Sequence, residues 1–170
     1  MSSRMDKTQG YVYKSHLADS QPVSISKQNL KSAPINNLLL IPNIFINGEI
    51  YEGSSAAILN KGIWRRPLSS TPQNGGNTVL VAHRYLYTTG PNTFYHLDKL
   101  KMGDKFSIFW VDKEYDYEIF NIKIVQSDDL SIEKNTLQPI ITLYTCTPLW
   151  TSKDRLVITA KLITTNPKDI

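Results

Sequence analysis

An all-β chain closed into a barrel is what this sequence predicts, with helices only as short pieces in the connections. Three observations carry the prediction. From residue 38 onward the apolar runs are strand-sized, and the longest, Leu38-Leu39-Leu40-Ile41, falls far short of the ~18 residues of a membrane span. Turn residues punctuate them, at Pro42-Asn43, Asn47-Gly48, Asn74-Gly75-Gly76-Asn77 and Asp112-Lys113. Tyr115-Asp116-Tyr117-Glu118-Ile119 alternates apolar with charged, the period of a half-buried strand. About seven or eight strands at this spacing favour a closed barrel over a sandwich.

Residues 1–33 are rich in Ser, Gln, Lys and Asn and lack periodicity, so they read as a flexible tail closed by Ala33-Pro34. The barrel is expected over 34–165 and a C-terminal tail over 166–170. Its first strand is Leu38-Leu39-Leu40-Ile41, and Ile44-Phe45-Ile46 is a second, stopped by Asn47-Gly48. Ser54-Ser55 caps a short helix over 56–60, with Gly62 as the stop. The glycine-rich turn at 74–77 leads into a buried strand, Thr78-Val79-Leu80-Val81-Ala82. Irregular turns over 91–100 precede a strand at 106–111, the turn Asp112-Lys113 and its partner at 115–119. Strand character continues over 122–125, Asp128-Asp129 caps a brief turn through Glu133, and strands at 140–144 and 156–163 complete the set.

At 170 residues, 41% apolar and 10% aromatic, the chain can bury a core of its own and is not a disordered segment. A net charge of +4 with no basic run longer than Arg65-Arg66 reads as surface basicity, not a nucleic-acid footprint. The single cysteine, Cys146, excludes an internal disulfide framework and a thiolate zinc site. His16, His83 and His96 lie too far apart for a local metal motif, and no cofactor is expected. Asp112, Glu114 and Asp116, with Asp128, Asp129 and Glu133, read as solvated acidic turns before a calcium site. Residues 1–30 are polar and show no signal peptide, so any membrane anchor is expected upstream of this chain.

Cys146 ends the run Thr142-Leu143-Tyr144-Thr145-Cys146, just before Thr147-Pro148, where proline lacks the donor to continue a ladder. A thiol there reads either as a small buried hydrophobe or as a nucleophile able to meet a substrate. His83 also ends a buried strand, and neighbouring strand ends of a barrel can lie close together. Free thiols titrate near ~8.5 and imidazole near ~6.5, so a nearby histidine is what makes a thiol useful at neutral pH. Arg155, nine residues after Cys146, opens the next strand and would share a mouth with it. It reads either as a cation for a carbonyl or oxyanion or as a surface charge paired with Asp154.

These residues resemble the sortases. The family pattern is a Thr-Leu-x-Thr-Cys strand end, a downstream Arg, and a strand-end His preceded by Gly-Asn. Here it is matched by residues 142–146, by Arg155 and by Asn77-Thr78-Val79-Leu80-Val81-Ala82-His83. Leu40-Ile41-Pro42 and Phe94-Tyr95-His96-Leu97-Asp98-Lys99-Leu100-Lys101-Met102-Gly103-Asp104 extend the match to roughly residues 35–164. Ala82 stands where many members have Gly, and no Asp-Pro-aromatic lid motif occurs before residue 40.

The resemblance implies an eight-stranded sortase-type barrel and a cysteine transpeptidase of Gram-positive-type cell surfaces. Such enzymes cut a Leu-Pro-x-Thr-Gly-like sorting signal after Thr through a thioacyl enzyme and pass the acyl group to an amine. Carried over by position, Cys146 is the nucleophile, His83 the general acid and base, and Arg155 holds substrate or oxyanion. Thr145 supports the thiol from behind or touches substrate, while Trp150 either packs over the substrate groove or caps the barrel. His96 and His16 carry no catalytic role. The implied partners are surface proteins bearing a C-terminal sorting signal and an amine from a cell-wall precursor or a pilin. The implied place is the outer face of the cell membrane. A cysteine peptidase releasing its product to water, and a peptide-binding barrel without catalysis, are the alternatives.

Overall fold

The computed structural model describes residues 36–84 and 90–167. The expected N-terminal tail lies outside the described residues. Of the expected C-terminal tail, 168–170 lie outside them too, while Asn166 and Pro167 belong to the last strand.

β1 (Leu38–Ile41) and β2 (Ile46–Tyr51) are antiparallel and joined by a 3₁₀ turn over Pro42–Ile44. Proline fixes the φ that such a turn starts with, and Phe45 closes it in the left-handed region at φ 59°. The sequence places the end of the second strand at Asn47-Gly48, but β2 runs straight through that pair, Asn47 opposite Leu40 and Gly48 opposite Leu39. The turn is already complete at Phe45, and Gly48 serves close packing instead. A Cβ there would stand 2.6 Å from Ile63 Cδ1 and 2.7 Å from the Pro91 carbonyl oxygen.

A second 3₁₀ turn, Ala56–Asn60, starts where Ser55 Oγ accepts the Ala57 N–H at 3.2 Å. It leads to β3 (Ile63–Arg65), and a third turn at Pro72–Asn74 leads to β4 (Asn77–Val81). After a single 3₁₀ turn at Leu97–Lys99 come β5 (Lys105–Trp110) and β6 (Lys113–Gln126), a hairpin about Val111 and Asp112. β6 runs on through the strand character expected over 122–125, and register shifts at Asp116/Tyr117 and Ile119/Asn121 leave its pairing with β8 continuous. β7 (Ile140–Thr147) and β8 (Asp154–Pro167) complete a closed eight-stranded barrel in the order β1-β2-β3-β4-β7-β8-β6-β5. The β2–β3 and β4–β7 pairs are parallel and the others antiparallel.

Alternate residues fill the interior. Leu39, Ile41, Leu80, Ile108, Tyr117, Leu143 and Ile158 are buried there, each worth about 1.5–3 kcal/mol on removal from water. The opposite faces of β4, β7 and β8 are apolar as well. Val79, Val81, Tyr144 and Val157 join Trp64 and Ile132 in a second cluster outside the wall, under the 3₁₀ turn Leu130–Glu133. The buried amide of Asn77 pins that connection. Its Nδ2 donates to the carbonyls of Ile132 (3.1 Å) and Lys134 (3.0 Å), and its Oδ1 accepts from Thr142 Oγ1 at 2.9 Å.

Three of the acidic turn residues are engaged by the chain itself. Glu133 accepts from Tyr144 OH (2.7 Å) and Arg66 Nε (2.8 Å), Asp129 from the Ser131 N–H (2.9 Å), and Asp116 from Ser107 Oγ (2.6 Å). Among the described residues no helix is long and apolar enough to cross a membrane.

Candidate active site

The parallel β4–β7 pair carries Val81 opposite Tyr144, and the two chains stay together one step further. Thr145 is buried and its hydroxyl donates to the Ala82 carbonyl at 2.7 Å, clipping the two strand ends to each other. His83 and Cys146 come next, each two residues past the Val81–Tyr144 pair. On the other side of β7, antiparallel β8 sets Arg155 directly opposite Cys146. Directly opposed residues share a face, with Cβ atoms typically ~4.5–5.5 Å apart.

That face is the outer one. Cys146 continues the side of Tyr144, Arg155 that of Val157 and His83 that of Val79 and Val81, all members of the outer cluster. Cys146 and Arg155, opposed across β7–β8, therefore stand on the outside of the wall near the end of β7, and His83 follows Ala82 just past the adjoining end of β4. Four residues back from Cys146 on the same face, Thr142 lines a hollow of about 170 Å³ with Asn77, Lys123, Lys134, Val157 and Thr159.

His83 Nε2 stands 3.4 Å from Asn60 Oδ1, in the turn whose Ile58 and Leu59 lean on the outer cluster. Its partial burial lowers the imidazole pKa below the ordinary 6.5 by penalising the charged form. The ring is thus neutral at pH 7 and able to accept a proton. An NMR titration of the His83 ring, identified by its loss in His83→Asn, should give a value under 6.5. A value above 6.5 would mean that a neighbour stabilises imidazolium by more than burial penalises it. The linkage has a definite sign. Well above pH 6.5 the ring is neutral in both states and its titration leaves stability unchanged, and as pH falls toward and through 6.5 the unfolded chain takes up the proton first, so stability declines.

Cys146 is a free, half-buried thiol on the penultimate residue of β7. Arg155 is half-buried and its Nη1 donates to the carbonyls of Ser152 and Asp154, each at 3.0 Å. It meets Asp154 through the main chain, not the carboxylate, so the surface ion pair considered from the sequence is absent among the described residues. Those bonds hold the loop between β7 and β8, on which Trp150 is 76% exposed. Thr145, with its hydroxyl committed to the Ala82 carbonyl, holds the two strand ends together.

His96 lies elsewhere, around a hollow with Ile44, Phe45 and Pro91, and His16 is outside the described residues. Sequence reasoning passed over Asn60, beside His83, and Arg84, whose Nη1 lies 3.5 Å from the Cys146 carbonyl. The only signal for Arg84 was its place next to a strand-end histidine.

A family model described as the sortase domain matches residues 39–163. The chain is similar to sortase D of Bacillus subtilis (strain 168), 31% identical over 134 residues that cover 76% of this chain and 64% of that protein. It spans less than two thirds of the length of the curated relatives it matches. Among solved structures it is similar to a Clostridium perfringens sortase D5 transpeptidase at 30% identity and TM-score 0.67, covering 76% of this chain and 79% of that one. Sortase A of Listeria monocytogenes, 23% identical, shares the fold with a TM-score of 0.70 over 78% of this chain and 90% of that one.

Proposed function

The chain belongs to the sortase family, and on that premise we propose that it is a cysteine transpeptidase with Cys146 as nucleophile, His83 as proton carrier and Arg155 as oxyanion partner. The observation that carries this reading is the register. Cys146 faces Arg155 across β7–β8, and His83 follows Ala82, whose carbonyl accepts the Thr145 hydroxyl of β7.

The proposed chemistry starts with the neutral imidazole of His83 taking the thiol proton of Cys146. The sulfur attacks the carbonyl carbon of Thr in a Leu-Pro-x-Thr-Gly-like sorting signal, and the guanidinium of Arg155 meets the oxyanion that forms. The C–N bond then breaks, and the imidazolium protonates the departing amine, leaving a thioester on Cys146. An acceptor amine gives its proton to His83, attacks the thioester and frees the thiol. Substrate residues upstream of the cut would lie along the outer face toward the hollow at Thr142, with Trp150 flanking the site. The proposed partners are surface proteins with such a signal and an amine from a cell-wall precursor or pilin, met at the outer face of the membrane.

The test is incubation of the protein with a Leu-Pro-x-Thr-Gly peptide library, with and without an added amine, read by mass spectrometry. Cleavage after Thr with an amine-dependent ligated product is expected. Cleavage yielding only the free acid at every amine concentration would make the protein a cysteine peptidase. No cleavage together with a thiol inert to alkylation would make it a binding module.

A further inference from the structure

Arg84 is 6% exposed, and a guanidinium so buried is costly unless its donors are paired. They are, and the partners come from two separate segments. Nε donates to the Tyr95 carbonyl at 3.0 Å and Nη2 pairs with Asp98 Oδ1 at 3.2 Å, both on the connection from β4 to β5. Nη1 reaches the Cys146 carbonyl at 3.5 Å and Thr147 Oγ1 at 3.4 Å, both at the end of β7. The main chain of its neighbour His83 is held by the same connection, its carbonyl accepting the Phe94 N–H at 3.0 Å. One residue thus continues the backbone of the histidine and reaches the backbone of the cysteine.

We propose that Arg84 is a positioning residue that sets the separation of Cys146 from His83, acting through the Cys146 carbonyl and anchored by Asp98 and Tyr95. This rests on the reading of Cys146 and His83 as the reacting pair. The Arg84 guanidinium reaches the carbonyls of Tyr95 and Cys146, the Thr147 hydroxyl and the Asp98 carboxylate. A fork geometry is required, because a lysine ammonium in its place keeps the charge for Asp98 but cannot serve acceptors on both segments.

The rival role is plain stitching of the β4–β5 connection to the barrel, which would change melting temperature and nothing else. Two readouts separate the roles: the split between kcat and KM on a sorting peptide, and the pH profile of Cys146 alkylation by iodoacetamide, which needs no peptide. In Arg84→Lys, kcat should fall ~10- to 100-fold with KM within about twofold, since a misplacement near 1 Å costs on the order of 100-fold. The alkylation profile should move toward that of His83→Asn. Asp98→Asn leaves the guanidinium in place with a weaker anchor and should shift both readouts the same way by less. A folded Arg84→Lys whose kcat and alkylation profile match wild type overturns the proposal. If Arg84→Lys does not fold, Asp98→Asn decides, and wild-type values for both readouts in that variant overturn it equally. Should the wild type cleave no sorting peptide while its alkylation profile still responds to Arg84→Lys and His83→Asn, the positioning role stands and the sorting substrate falls.

Discussion

Cys146→Ala should give a barrel that folds as the wild type does and turns over no sorting peptide. The folding half follows from position. Cys146 is half-buried on the penultimate residue of β7, its strand pairing with Arg155 is made by main-chain groups, and alanine keeps all of them. What is lost is one sulfur atom at a rim, a change of ~1 kcal/mol or less that moves the melting temperature by a few degrees. The activity half follows from chemistry. With no thiol there is no covalent intermediate, and the chain has no second cysteine to replace it. Removing the nucleophile of a comparable hydrolytic triad costs on the order of a millionfold. The measurements are a circular-dichroism melt, the cleavage rate, and the intact mass of enzyme mixed with peptide. Wild type should carry a peptide-derived mass increment that the variant lacks. Turnover in the variant above about a thousandth of wild type would place the nucleophile elsewhere.

Local chemistry made some of this legible from the sequence. Leu38–Ile41 is bounded by Pro42, and its limits are those of β1. Tyr115 to Ile119 alternates, and those residues do alternate between buried and half-buried in β6. Cys146 was placed at a strand end because Pro148 cannot continue the ladder, and β7 does stop at Thr147. What failed depended on partners far along the chain. Asn47-Gly48 has the composition of a turn, yet its glycine is there because Ile63 and Pro91 come close. β3 is three residues long, too short to show a period. A run buried on both sides, such as Thr78-Val79-Leu80-Val81, does not reveal which alternate set faces the lumen and which the loop outside. Which set faces out is decided only by pairing with strands far along the chain, β7 and β8. Arg84 was hidden for the same reason, its partner Cys146 being 62 residues away.

Arg155→Ala should lower kcat/KM for sorting-peptide cleavage by ~100- to 1,000-fold, the usual cost of removing one oxyanion donor. Arg155→Lys should recover only part of that loss, because an ammonium keeps the charge but not the planar pair of donors. The geometry allows a second effect to mix with the first. Arg155 Nη1 holds the carbonyls of Ser152 and Asp154 at 3.0 Å, so truncating the side chain also frees the loop that carries Trp150. The two effects separate in the kinetics. Loss of a contact made only to the oxyanion lowers kcat, whereas a loosened loop weakens binding and raises KM. Trp150→Ala in the wild-type background gives the size of the loop effect alone. Folding is checked by circular dichroism, and neither Arg155 variant should unfold, since the side chain is half-exposed at the start of β8. If Arg155→Ala stays within about threefold of wild type, a change under ~0.7 kcal/mol of barrier, the arginine takes no part in the reaction. If instead only KM rises and kcat holds, Arg155 positions the loop between β7 and β8, and the oxyanion must be met by some other donor.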